Sequence, residues 1–166
     1  MKALFHAAAL AGSILVTSAH AQTTFNAAVT SDYRYRGISQ TRLQPALQGS
    51  ADYVHATGWY AGAWASTIKC IEDAGGDGKV ELDLYAGKRG EIASGFSYDV
   101  GVLRYLYSGN ELGKVNGFAN AHTTEIYGQV GYDPAYLKYS HATTNLFGIN
   151  DSENSGYLDI GANIDA

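Results

Sequence analysis

The chain of 166 residues carries one cysteine, Cys70, and two prolines. A single thiol cannot close an internal disulfide, so no disulfide framework holds the chain together. A reactive thiol would need a pairing histidine signal nearby, and none surrounds Cys70, which reads as an incidental loop residue. Basic residues are also scarce, 11 Lys and Arg against 16 Asp and Glu. No basic stripe is present, which removes nucleic acid as an expected partner. Beyond residue 21 there is no apolar run of the roughly 20 residues that a spanning helix needs, so a helical membrane protein is excluded. The acidity by itself names no solute.

What the chain does have begins with an export signal. Lys2 precedes the largely apolar stretch Ala3 to Val16, and Ala19-His20-Ala21 has the small-x-small form of a cleavage site. Residues 1–21 read as a signal peptide, with a single mature domain over residues 22–166. Gly is abundant at 20 residues and Tyr unusually so at 13. Glycine, tyrosine and small apolar residues in alternation suit a lipid-facing β-wall with a polar lumen.

The stretch Phe25 to Gly37, FNAAVTSDYRYRG, sets the plan. Its odd positions are mostly apolar or aromatic, and its even positions end in Asp32, Arg34 and Arg36. Side chains alternate across a strand, so one face meets something apolar and the other water. Similar alternation predicts strands over residues 46–54, 59–68, 80–88, 96–107, 122–132, 135–143 and 157–165. In the fifth of the eight, Arg104 falls on the apolar side, which a charge near a membrane edge tolerates by snorkelling. The faces of residues 59–68 are ambiguous, because both carry aromatic or small side chains.

The seven connections alternate long and short, beginning with a long one. Outer-membrane barrels sort their loops this way, with tight periplasmic turns and long external loops. A soluble exported β-protein has no physical reason to do so. The expected fold is therefore all-β, a transmembrane antiparallel up-and-down β-barrel with about eight strands visible. The chain stops at Ala166 straight after a strand, without an aromatic last residue, and the expectation is that it is part of a larger barrel. Pairing of the eighth strand with the first is the alternative.

The segments SDYRYRGISQT (31–41), PALQGSADY (45–53), GWYAGAWAS (58–66), VELDLYAGKRGE (80–91) and YDVGVLRYLY (98–107) resemble the TorF-type porin family of bacterial outer-membrane proteins. TTEIYGQVGY (123–132), LKYSHATTNLFG (137–148) and SGYLDIGAN (155–163) continue the resemblance in the same order. It implies a β-barrel porin of the outer membrane of Gram-negative bacteria, with no defined solute. It also implies further strands past residue 163, where this sequence departs.

If the polar faces line a lumen, the pore-lining candidates are Asp32, Arg34, Arg36, Asp52, Glu81, Asp83, Asp99, Glu125, Lys138 and Asp159. Opposed charges there would set a transverse field that filters solutes. The alternative is a salt-bridged filling of a small lumen. Tyr53, Trp59 and Tyr60 flank the turn at residues 55–58, where an interface aromatic girdle is expected, with a sugar-binding track as the other reading. No enzyme is expected. His55, His122 and His141 lack metal-ligand spacing, and Ser140 with His141 would face opposite sides of a strand. The Gly-rich AGGDG lacks the residues of a phosphate loop, and DAGGDG those of a calcium loop. No cofactor or metal is implied. The expected function is passive passage of small hydrophilic solutes through the outer membrane, with membrane lipid as partner. A non-conducting barrel with a structural or surface role is the runner-up, and a lipid-modifying enzyme comes third.

Overall fold

A computed structural model describes residues 21–164, so nearly all of the expected signal peptide lies outside the described residues. The chain forms, in order, β1 (Gln22–Thr30), the two-residue strands β2 (Arg34–Tyr35) and β3 (Ile38–Ser39), β4 (Ala46–Val54) and β5 (Trp59–Thr67). A short helix α1 (Cys70–Asp73) precedes β6 (Val80–Ala93) and β7 (Phe96–Tyr107). After a 3-10 turn at Glu111–Lys114 come β8 (Thr123–Tyr132), β9 (Ala135–Ala142) and β10 (Gly156–Ala162). Eight strands make one sheet in the order β1-β4-β5-β6-β7-β8-β9-β10, each antiparallel to the next, and β2–β3 form a separate hairpin. Among the described residues β1 and β10 share no ladder, so the sheet has two free edges and is not a closed barrel.

The two largest departures from the expected strand boundaries have local reasons. The first strand ends at Thr30 rather than running to Gly37. The Asp32 carboxylate accepts hydrogen bonds from the Ser39 hydroxyl at 2.5 Å and the Thr41 hydroxyl at 3.2 Å. The Ser39 bond, with help from Thr41 and Arg34 against partial desolvation, holds Asp32 below the usual carboxylate range. Such side-chain bonds compete with a ladder. Positive φ at Arg36 and Gly37 then reverses the chain. In contrast, β6 runs past Lys88 to Ala93, because Arg89, Gly90 and Glu91 pair with Asp99, Tyr98 and Ser97.

The register assigns every side chain to a face. One face carries Phe25, Val29, Leu47, Leu84, Val102, Ile126, Leu158 and Ile160, all exposed. The other carries Ser66, Glu81, Asp83, Tyr105, Glu125 and Ser140, all buried. This inverts the usual sorting of a water-soluble sheet. Arg104 lies on the apolar face, as its position implies, and its guanidinium donates to the Thr124 hydroxyl beside it. The register also resolves β5: Tyr60, Gly62, Trp64 and Ser66 share the polar face, while Trp59, Ala61, Ala63 and Ala65 share the apolar one.

The sheet curls with its polar face inside. From β5 to β8 is three ladder spacings, about 14 Å if flat. Yet the Tyr60 hydroxyl on β5 meets both Asp99 on β7, at 2.5 Å, and the Tyr127 hydroxyl on β8. Tyrosines achieve this by lying over glycines of the neighbouring strand. Tyr85 covers Gly62, and Tyr127 covers Gly101. Aromatic cover of strand glycines is a known device for curved sheets. The high Tyr and Gly content is thus in part a curvature device.

The apolar core sits at the end of the sheet where the four long connections meet. Ile68, Ile71, Leu112 and Ala121 are buried there with Tyr33, Tyr105 and Tyr107. The connections bind one another: Lys69 and Cys70 amides donate to the Gln40 carbonyl, and the Ala119 amide to the Gly148 carbonyl.

Candidate functional site

The concave face collects most of the charged residues of the eight sheet strands. Asp52 comes from β4, Glu81 and Asp83 from β6, Asp99 from β7, Glu125 from β8, Lys138 from β9 and Asp159 from β10. All share one parity with the tyrosines described above. The register also sets a cross-strand row Arg89, Asp99, Gln129, Lys138, Asp159, in which opposite charges are near neighbours. The Lys138 ammonium sits 4.2 Å from the Tyr127 ring centre, and the Arg89 guanidinium 5.5 Å from that of Tyr60. These are cation–π distances.

Closer to the long connections the face turns acidic. Glu81, Asp83 and Glu125 are each at most 9% exposed. Among the described residues only Glu125 of the three has an ion-pair partner, the Arg36 guanidinium at 2.8 Å. Oδ1 of Asp83 is buried with no hydrogen-bond partner. A buried carboxyl group without a partner is costly, which makes Asp83 a candidate site residue. Asp52 accepts from the Tyr85 hydroxyl, which spans from β6.

Two neighbouring cavities on this face share a wall. One of about 260 Å³ is lined by Arg36, Glu125, Tyr127, Lys138, Tyr157 and Asp159. The other, about 360 Å³, is lined by Asp52, Tyr60, Tyr85, Arg89, Asp99 and Tyr127. Tyr127 belongs to both, so together they make a charged trough along the concave side. A third, of about 320 Å³, is apolar and lies among the long connections, between Ile38, Ile71, Leu112, Phe118 and Phe147.

Of the lumen candidates read from sequence, Asp52, Glu81, Asp83, Asp99, Glu125, Lys138 and Asp159 are brought to one face. Arg36 reaches the same face from the β2–β3 hairpin instead of from a strand continuing β1. Asp32 and Arg34 do not reach it: they pair with each other at 2.7 Å at the base of that hairpin, and Arg34 is exposed. Tyr53 and Trp59 stand exposed on the convex face beside the turn at residues 55–58, with the Lys88 ammonium 5.2 Å from the Trp59 ring centre. Tyr60 turns the other way, into the trough, because it follows Trp59 on a strand. Sequence reasoning did not single out Tyr85, Tyr105 or Tyr127. Their signal was there, as tyrosines on the acidic parity of their strands, but their glycine partners sit on other strands.

The histidines form no catalytic arrangement in the described residues. Ser140 is buried on the concave face, whereas His141 is paired opposite Ile126 on the convex one. His55 is tied to the Thr57 hydroxyl within its turn. Among the described residues no cluster of His, Cys, Asp and Glu is placed to hold a metal, and no helix is long and apolar enough to cross a membrane. Cys70 is the first residue of α1 rather than part of an irregular loop. Burial, with Glu81 nearby, pushes its thiol up to about 11. At pH 8 iodoacetamide should therefore label Cys70 in the folded protein at least tenfold more slowly than in urea, since the thiolate is the reactive form. Equal rates in the two states would show the thiol to be free.

The model of a family described as bacterial proteins of unknown function, Gcw_chp, matches residues 16–166. No curated protein and no solved structure matches the chain.

Proposed function

We propose, for a chain that belongs to the Gcw_chp family of bacterial proteins, that it forms the wall of an outer-membrane β-barrel and lets small hydrophilic solutes pass along its concave face. The observation that carries this is the inverted sheet. Eight adjacent strands expose large aliphatic side chains on one face and gather ionisable ones on the other. In water such a convex face is an aggregation liability far above the usual patch size; in lipid it is the expected outer surface. The loop parity and the ordered segments resembling TorF-type porins point the same way. In hydrocarbon the free edges of β1 and β10 require partners, so the membrane form pairs them with each other or with additional strands.

A non-conducting barrel is the second reading. It is favoured by the β2–β3 hairpin, which packs into the concave side and occupies part of the trough. Planar-bilayer recording of the protein refolded in detergent separates the two. Stepwise current on insertion supports the pore, and insertion without current leaves the structural barrel. A folded, monodisperse particle in buffer without detergent would remove both.

A further inference from the structure

The segment joining β1 to β4 does not stand clear of the sheet. Its aromatic residues point inward along the concave face. The Tyr33 ring lies 5.1 Å from that of Trp64 on β5, edge-on. Tyr35 packs edge-on against Tyr105 of β7, and their hydroxyls are 2.5 Å apart. The Tyr105 hydroxyl donates to Glu125 at 3.1 Å, and Arg36 donates to the same oxygen at 2.8 Å. The Arg36 guanidinium also sits 4.1 Å from the ring centre of Tyr157 on β10. The hairpin and the residue before it therefore touch β5, β7, β8 and β10.

We propose that this hairpin is an inward-folded constriction and that Arg36, not Arg34, is the residue that sets solute selectivity. The inference rests on the pore reading and narrows it to a solute class. Arg36 pairs with the buried Glu125, and its guanidinium lines the 260 Å³ cavity together with Lys138 and Asp159. The lining sets Glu125 and Asp159 against Arg36 and Lys138, with the carboxyl groups of Glu81 and Asp83 beside it, so acidic groups outnumber basic ones and the constriction favours small cations, with Arg36 limiting how strongly. Arg34 is held by Asp32 outside this zone.

The test is single-channel recording of the full chain under a potassium chloride gradient. Four proteins are compared: unchanged, Arg36→Gln, Arg34→Gln, and Arg36→Gln with Glu125→Gln. The unchanged protein should show a reversal potential on the cation side. Arg36→Gln should raise unit conductance by about a factor of two and strengthen cation preference, because a charged blocking side chain is lost while the carboxylates stay. The double variant removes the stranded Glu125 charge that could unfold the single one. It should keep the raised conductance and return selectivity towards the unchanged value. Arg34→Gln should match the unchanged protein in both readings. An anion-selective pore, or a change in Arg34→Gln without one in Arg36→Gln, overturns the constriction while leaving the pore intact. If the unchanged protein inserts silently, the pore reading fails. The constriction then stands only if an Arg36 variant begins to conduct, and silence there too overturns it.

Discussion

Val102→Arg should destabilise the membrane-inserted protein by about 2–4 kcal/mol, the cost of placing arginine near the middle of a bilayer on the lipid face of a barrel. Val102 lies mid-strand on β7, exposed on the convex face between Ala86 and Ile126. In water the same change at an exposed position costs no more than about 0.5 kcal/mol. The prediction thus separates a wall in lipid from a sheet in buffer, independently of whether solutes pass. Leu43→Arg is the control, since Leu43 is also exposed but lies in the connection between β1 and β4. Urea titration in phospholipid vesicles, followed by tryptophan fluorescence, measures both. Equal midpoints for the two variants would mean that the convex face does not meet lipid.

The second large effect concerns curvature. A Cβ on Gly101 would lie 2.6 Å from the Tyr127 hydroxyl and 2.7 Å from the Ala86 carbonyl oxygen. The tyrosine can swing aside, but the carbonyl belongs to the neighbouring strand, so the ladder itself must move. Gly101→Ala should therefore cost about 1–3 kcal/mol, the range for overpacking. It should also release Tyr127 from Tyr60. Gly128 makes the internal comparison: a Cβ there meets nothing within 4 Å. Gly128→Ala should be neutral or slightly stabilising, because alanine loses less backbone freedom on folding. If both variants shift the urea midpoint alike, the tyrosine cover of Gly101 is not what shapes the sheet.

Alternation alone determined a good deal of this molecule. The parity of Glu81, Asp83 and Tyr85 against Val80, Leu82 and Leu84 follows from strand geometry and needs no partner strand. So does the placing of the long and the short connections at opposite ends of the sheet, which follows from an antiparallel meander. For that reason Asp52, Glu81, Asp83, Asp99, Glu125, Lys138 and Asp159 share one face. The first strand was overextended because periodicity cannot see where a side chain prefers its own backbone neighbourhood. Asp32 gathers Ser39 and Thr41, and Arg36 takes a positive φ, and both depend on residues that come later in the chain.

Only the tertiary structure decided how the charges meet. Arg36 and Glu125 are 89 positions apart, and no local pattern relates them. Tyr60 reads as one of three aromatics beside a turn, yet register turns it into the trough while Trp59 stays outside. Its contact with Asp99 exists because the sheet bends, and the sheet bends where a tyrosine on one strand finds a glycine on the next. Sequence sets which way each side chain points, since that is a property of the backbone of a single strand. Which side chains touch depends on register and curvature, which belong to pairs of strands distant along the chain.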